Sequence, residues 1–296
     1  MNVYPLKLRA FRGIRAAAER IGLQVVPKTF YSPIPDLKAL PADIWDRRSE
    51  LSGIHFDLDE QLGWIESELA GAMREFSPPE RTTRRQWEYS LDNDAYGPVG
   101  ADVLYGVVRG LKPRRIVELG SGHSTLLMAA AAERNRADGV ATELRTFDPF
   151  PSVAGPDLPG LAALTPLAAQ ELPLDVFTSL EAGDVLFVDT THTVKLGSDV
   201  NRIVLDVLPA LAPGVIVHVH DIFLPYEYLR EFAELSGLHW AEQYLLQAFL
   251  AGNRGYEVLA GCYALCRDRP EAMGRLAPTW RPGARPSAFW IRRTAA

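Results

Sequence analysis

Cysteine is scarce. Cys262 and Cys266 are the only two in 296 residues, too few for a disulfide framework, and their spacing of four within an apolar stretch reads as a pair of buried thiols. No uninterrupted apolar run approaches the ~20 residues that a membrane-spanning helix needs. The N-terminal stretch Leu6-Lys7-Leu8-Arg9-Ala10-Phe11-Arg12 interrupts its apolar residues with charge, so it lacks the apolar segment of a secretory leader. A cytoplasmic protein with no membrane partner is therefore expected. Positive charge is not in excess either: 31 Lys and Arg stand against 37 Asp and Glu, a net charge of -6. That balance argues against a generic nucleic-acid surface, which needs clustered Lys and Arg. Self-similarity at about 20–50 residues is also missing, which excludes a solenoid. What remains is ordinary for a globular chain of enzyme size, with 47% apolar and 23% charged residues, enough for a sizeable core.

The chain is organised around Val117-Glu118-Leu119-Gly120-Ser121-Gly122-His123-Ser124-Thr125. Ile116, Val117 and Leu119 form a short β-branched apolar run, the pattern of a buried parallel strand. The run breaks at Gly120. Ser124 is placed to cap a helix made of Leu126, Leu127, Met128 and an alanine run. A glycine turn between a strand end and a helix start lets a ligand approach the backbone and meet free N–H groups. A dinucleotide-binding turn would carry a third glycine where Thr125 stands, which lowers the case for an NAD-dependent oxidoreductase.

Before this turn, Phe11, Ile14, Ala17, Ala18 and Ile21 recur at helical spacing opposite basic residues. They predict an amphipathic helix stopped by Gly22 and packed on its own domain. Pro27, Pro33, Pro35 and Pro41 make Val25 to Phe56 an extended surface arm. Asp57-Leu58-Asp59-Glu60 opens a second helix with the stripe Leu62, Ile65, Leu69 and Met73, ended by Pro78-Pro79. After an Arg-rich stretch, Gly100 to Leu111 reads as the helix leading into the first strand. Beyond the glycine turn, Leu144–Asp148, Val185–Asp189 and Val215–Val219 read as strands, the first two ending in an acid and the third running into His220-Asp221. Leu161 to Leu164 supplies a shorter strand, and Tyr256–Leu259 and Ser287–Ile291 two more, the last antiparallel at or near an edge. Strands with polar ends separated by helices predict a mostly parallel sheet with a site along its carboxyl edge. Trp240 to Leu250 reads as a core helix.

Glu118, an acid two residues before the first glycine, completes an acidic-x-Gly-x-Gly pattern. The stretch resembles the first motif of class I S-adenosylmethionine (SAM)-dependent methyltransferases, and the resemblance extends over roughly Gly100 to Arg292. It implies a doubly wound, mostly parallel α/β sheet of Rossmann-like type over residues 98–296, with residues 1–97 as an N-terminal helical and extended cover or dimerisation segment. It further implies cofactor binding by Glu118, Gly120, Ser121, Gly122, Ser124 and Asp148. Asp148 corresponds to the acid at the end of the second strand that takes the ribose hydroxyls, a vicinal diol meeting an acceptor-only carboxylate. Asp189-Thr190-Thr191-His192 resembles the place where catechol-type and macrolide-sugar O-methyltransferases put a metal-binding aspartate, and the latter a catalytic base three residues on. That base is His192 here. His220-Asp221 matches two further metal ligands, with His220 where those families usually have a carboxylate. The implied set Asp189, His220 and Asp221 suits Mg²⁺ or a transition metal.

The resemblance thus implies transfer of a methyl group from SAM to an oxygen of a small molecule, assisted by a divalent metal and a histidine base. A homo-oligomer is among the assemblies this reading allows. The alternatives are a metal-independent N-methyltransferase and a non-catalytic SAM-binding module. His218 is expected to be a core histidine and His123 to face cofactor or solvent. Phe223 to Tyr228 forms either a wall of the acceptor pocket or a packed lid.

Overall fold

The computed structural model describes residues 4–83 and 85–295, with side chains from Phe11 onward. The side chains of the charge-interrupted stretch before Phe11, and Arg84 in the Arg-rich stretch, lie outside the described residues. Seven strands form one sheet: β1 (Arg115–Leu119), β2 (Glu143–Phe147), β3 (Ala163–Thr165), β4 (Val185–Val188), β5 (Ile216–Val219), β6 (Tyr256–Gly261) and β7 (Phe289–Arg293). Their order is β3-β2-β1-β4-β5-β7-β6. All neighbours from β3 to β5 pair in parallel, whereas β7 runs antiparallel to both β5 and β6. The expected antiparallel strand at Phe289 is thus next to the edge. β3 begins at Ala163, two residues later than the apolar run alone suggested.

The apolar runs of β4 and β5 are buried throughout, because helices cover both faces of the sheet. Val117, Leu186, Val188, Val217 and Val219 share a core with Ile203, Val204 and Val207 of the helical segment after β4, and with Phe289 and Ile291 of β7. Leu119 pairs with Phe147 on one side and Val188 on the other, and Val188 pairs with Val219. Consequently Gly120, Asp148, Asp189 and His220, each the next residue, leave the sheet at one level. The strand order also reverses about β1, so these residues surround the crevice where open α/β sheets bind ligands.

Asp57 caps the helix Leu58–Trp64, its carboxylate accepting from the N–H groups of Asp59 at 2.8 Å and Glu60 at 3.0 Å. This helix continues to Met73 and packs on the helix Gly100–Gly106 and its extension to Leu111. Glycine is required at that contact. A Cβ on Gly106 would lie 2.8 Å from the Met73 side chain, and one on Gly110 2.7 Å from the Glu68 carbonyl. Cys262 and Cys266 are buried free thiols, as their spacing predicted.

The chain divides into two compact units, Met1–Ala42 with Glu231–His239, and Asp43–Arg230 with Trp240–Ala296. The smaller contains the helix Tyr4–Glu19 and an extended proline-containing arm. Ile14 and Ile21 are 57% and 73% exposed there, so the apolar stripe of this helix is not packed away as expected. The larger unit takes the rest of the predicted arm: Leu51 joins the main core, and the Gly53 carbonyl accepts from the Gly252 N–H at 2.8 Å. Pattern reading missed this because Leu51 and Phe56 stand among turn-forming residues with no periodicity. No helix among the described residues is long and apolar enough to cross a membrane.

Candidate active site

The glycine turn is built from below. Glu118 is fully buried at the end of β1, where Oε1 accepts from the Ser124 hydroxyl at 2.8 Å and Oε2 from the Thr146 hydroxyl at 2.7 Å. Burial pushes its carboxyl up to about 8, with those two hydroxyls offsetting part of the effect. Glu118 therefore ties β1, β2 and the following helix together beneath the turn. Ser124 does not cap that helix. It starts at His123 with Gly122 as its cap, and the Gly122 N–H donates to the Thr125 hydroxyl at 2.9 Å. The Ser124 hydroxyl is occupied by Glu118, a competition that local sequence does not reveal.

The two turn glycines have different reasons. Gly120 has φ +89°, and a Cβ there would stand 1.9 Å from the Asp189 carbonyl oxygen. It is the point where the β1 and β4 ends touch. At Gly122 nothing lies within 4 Å of a Cβ position, so the backbone borders open space. Asp148 is half-buried at the mouth of the turn. Its Oδ2 accepts from the Ser121 N–H at 2.8 Å and the Ser121 hydroxyl at 2.7 Å, and its Oδ1 from the Phe150 N–H at 2.7 Å. An ionised carboxylate offers about four acceptor positions, so capacity remains for a ligand hydroxyl.

Across the crevice the groups are charged and face one another. The segment after β4 is held by Asp199, which accepts from the Thr191 N–H at 2.9 Å and hydroxyl at 2.7 Å. His192 follows with φ +55°. Its Nε2 lies 3.3 Å from Asp189 Oδ1 and 3.5 Å from Asp221 Oδ2, and its Nδ1 lies 2.8 Å from Glu242 Oε2. The ring also packs on Trp240 at 4.5 Å between centroids. Burial opposes charge on this ring, but Asp189 and Glu242 outweigh it and hold His192 well above the ordinary imidazole value. In turn, burial would raise Asp189, yet His220 and His192 hold it at about 2. Asp189 keeps 32% of its side chain exposed and Asp221 18%, so both reach the crevice.

Asp221 also has φ +55°, and its Oδ1 accepts from the Ser287 hydroxyl at 2.7 Å. Two non-glycine residues in the left-handed region within one site store strain that the surrounding contacts must hold, on the order of 1–3 kcal/mol each. His220 stacks on Tyr96 at 4.8 Å, with Nε2 at 3.3 Å from the Ala95 carbonyl and 3.4 Å from the Ser287 hydroxyl. His218 is fully buried between Phe187 and Trp290, and burial with His220 beside it pushes it well below the ordinary value. It is the core histidine expected.

The predicted metal set does not converge. Asp189 Oδ1 and Asp221 Oδ2 both point at the His192 ring, while the nearest nitrogen of His220 is 3.7 Å from Asp221 Oδ1 and engaged elsewhere. Among the described residues no group of three or more His, Cys, Asp or Glu is arranged to hold a metal ion. The residues as placed do not fit one. The His192 environment is accordingly the reverse of the expected one: carboxylates raise its proton affinity, where a metal cation would lower it.

Glu242 and Trp240 fall within the stretch expected to be a core helix, yet they touch His192 directly. An acid in the first turn of an apolar helix is also what helix electrostatics favours, so no local signal set Glu242 apart. Phe223 to Tyr228 resolves toward the packed alternative: Phe223, Leu224, Tyr226 and Tyr228 are all buried.

Residues 117–222 match a family model described as "Methyltransferase domain". An uncharacterised protein of Archaeoglobus fulgidus is 28% identical over 148 residues, covering 48% of this chain; the chain spans 65% of that relative's length. Among solved structures, one described as cmcI-N160 SAH is similar at 16% identity and a TM-score of 0.41, over 74% of this chain and 98% of the other. A candidate methyltransferase from Thermobifida fusca YX is similar at 14% identity and a TM-score of 0.40, over 86% and 98%. The family match thus places a methyltransferase-like domain at residues 117–222, within a sheet whose strand order is doubly wound, mostly parallel and Rossmann-like.

Proposed function

We propose that the protein transfers the methyl group of SAM to an oxygen of a small-molecule acceptor, with His192 as the general base. The observation that carries this reading is the contact between the two halves of the crevice, Gly120 against the Asp189 carbonyl, which brings the open glycine turn beside the His192 cluster. SAM supplies an electrophilic sulfonium methyl when bound. Gly122 leaves room for a ligand against the backbone, and Asp148 offers its remaining acceptor capacity to a diol. Glu118 and Ser124 hold the turn from beneath. Asp189 and Asp221 border the place for the acceptor, and His192 Nε2, between them, takes the acceptor proton as its oxygen attacks. Alignment supplies much of the catalysis, and the base typically about 10²–10⁴ in rate.

Because the carboxylates raise His192, its protonated form is favoured and the ring is a stronger base once neutral. A divalent ion would require withdrawal of this ring from between Asp189 and Asp221. The test is calorimetry with S-adenosylhomocysteine followed by turnover on paired hydroxyl and amine acceptors. Binding with turnover on hydroxyl acceptors is expected. Turnover on amines alone moves the reading to the N-methyltransferase alternative, and binding without any turnover to a non-catalytic module.

A further inference from the structure

Glu242 is a carboxylate that the fold has buried at a cost. It is 1% exposed, burial raises its carboxyl, and its Oε1 has no hydrogen-bond partner among the described residues. Stability alone would favour an apolar residue there, since an ion half-satisfied in the interior is expensive. Its Oε2 lies 2.8 Å from His192 Nδ1. The same helix start grips the backbone of that residue, because the N–H groups of Ala241 and Glu242 both donate to the His192 carbonyl, at 3.0 Å and 3.2 Å. Trp240 packs on the ring. Three consecutive residues, 48 to 50 positions from His192 in sequence, therefore hold its ring and its backbone together.

We propose that Glu242 is a positioning residue for methyl transfer, accepting a hydrogen bond from His192 Nδ1–H so that the neutral ring carries its lone pair on Nε2, toward Asp189 and Asp221. This rests on the reading of His192 as the base. An imidazole whose Nδ1 is held by a carboxylate has one tautomer selected, and only that tautomer presents a base to the crevice. Glu242 acts through His192 and touches neither donor nor acceptor in this scheme. The same contact fixes ring orientation in the left-handed backbone conformation that His192 adopts.

The experiment compares wild type with Glu242→Gln and Glu242→Asp by long-range ¹H–¹⁵N NMR of the His192 ring at alkaline pH, alongside kcat, acceptor KM and calorimetry with S-adenosylhomocysteine. In Glu242→Gln the neutral ring is expected to leave the single Nδ1–H tautomer and kcat to fall about 10²–10⁴-fold, with KM and S-adenosylhomocysteine affinity within twofold. Glu242→Asp, which keeps the charge, is expected to recover part of both, and retained S-adenosylhomocysteine affinity shows that the variants are folded. An unchanged Nδ1–H tautomer in Glu242→Gln overturns the proposal. A changed tautomer with unchanged kcat instead overturns the base reading beneath it.

Discussion

The two ends of the crevice differ in how their polar groups are satisfied. At the β1 and β2 ends, Glu118 is matched by Ser124 and Thr146, and Asp148 by Ser121 and Phe150, all within 28 residues of their partners. At the β4 and β5 ends, His192 is matched by Glu242, 50 residues away, and Asp221 by Ser287, 66 residues away. The first end consists of hydroxyl and N–H groups around carboxylates, and its turn is complete as it stands. The second places one imidazole among three carboxylates and holds two residues at positive φ. The proposed cofactor end can be finished in advance by local hydrogen bonds, whereas the proposed proton-transfer end keeps charge and strain that only distant elements can hold in place.

The sharpest break between the two ends is expected from His192→Asn. It should lower kcat about 10²–10⁴-fold and leave S-adenosylhomocysteine affinity within twofold by calorimetry, separating chemistry from cofactor binding. In the wild type the acidic limb of the pH–rate profile should lie above the ordinary imidazole range, because Asp189 and Glu242 raise His192. The stabilising contribution of the protonated ring is present below about 6.5, its unfolded value, and is lost as pH rises through the higher folded value. A limb at or below the ordinary value would mean that the carboxylates do not act on the base.

Gly120→Ala attacks the contact that joins the ends. A Cβ 1.9 Å from the Asp189 carbonyl at φ +89° cannot be relieved by a side-chain rotation. Destabilisation of about 3 kcal/mol or more is expected in denaturant titration, with loss of both binding and turnover. A variant that kept its stability would show that the two ends are not in contact.

Asp148→Ala is confined to the first end. S-adenosylhomocysteine binding should weaken about tenfold or more, as charge-assisted hydrogen bonds of roughly 1.5–3 kcal/mol are lost, and the pH limb should stay where it is. Unchanged affinity would remove Asp148 from the cofactor site.

Glu118→Gln is expected to have the mildest effect. Burial raises this carboxyl from 4.5 to about 8. Its favourable contribution is therefore present below 4.5 and lost as pH rises toward 8, the unfolded chain giving up its proton first. The amide should match wild type near pH 5 and be the more stable of the two at pH 8. Equal pH dependence of unfolding in both proteins would show that Glu118 is ionised in the folded state.

Much of this architecture is determined by the sequence alone. A parallel strand covered on both faces must be apolar along its length and end where the chain meets water. Hence β1, β2, β4 and β5, and the residues at their ends (Gly120, Asp148, Asp189 and His220), were legible as strings. The glycine turn was legible for a similar reason, since only glycine tolerates the approach at position 120. Ser124 marks where that legibility fails, because a hydroxyl suited to capping a helix was claimed by a buried carboxylate underneath. The tertiary structure alone decided which charged groups meet. It turned Glu242 toward His192 and Ser287 toward Asp221, and aimed Asp189 and Asp221 at an imidazole instead of at a shared metal. The physical reason is range: periodicity and capping act over a few residues, whereas the charge on a buried ring is set by every carboxylate within a few ångströms, whatever its place in the chain.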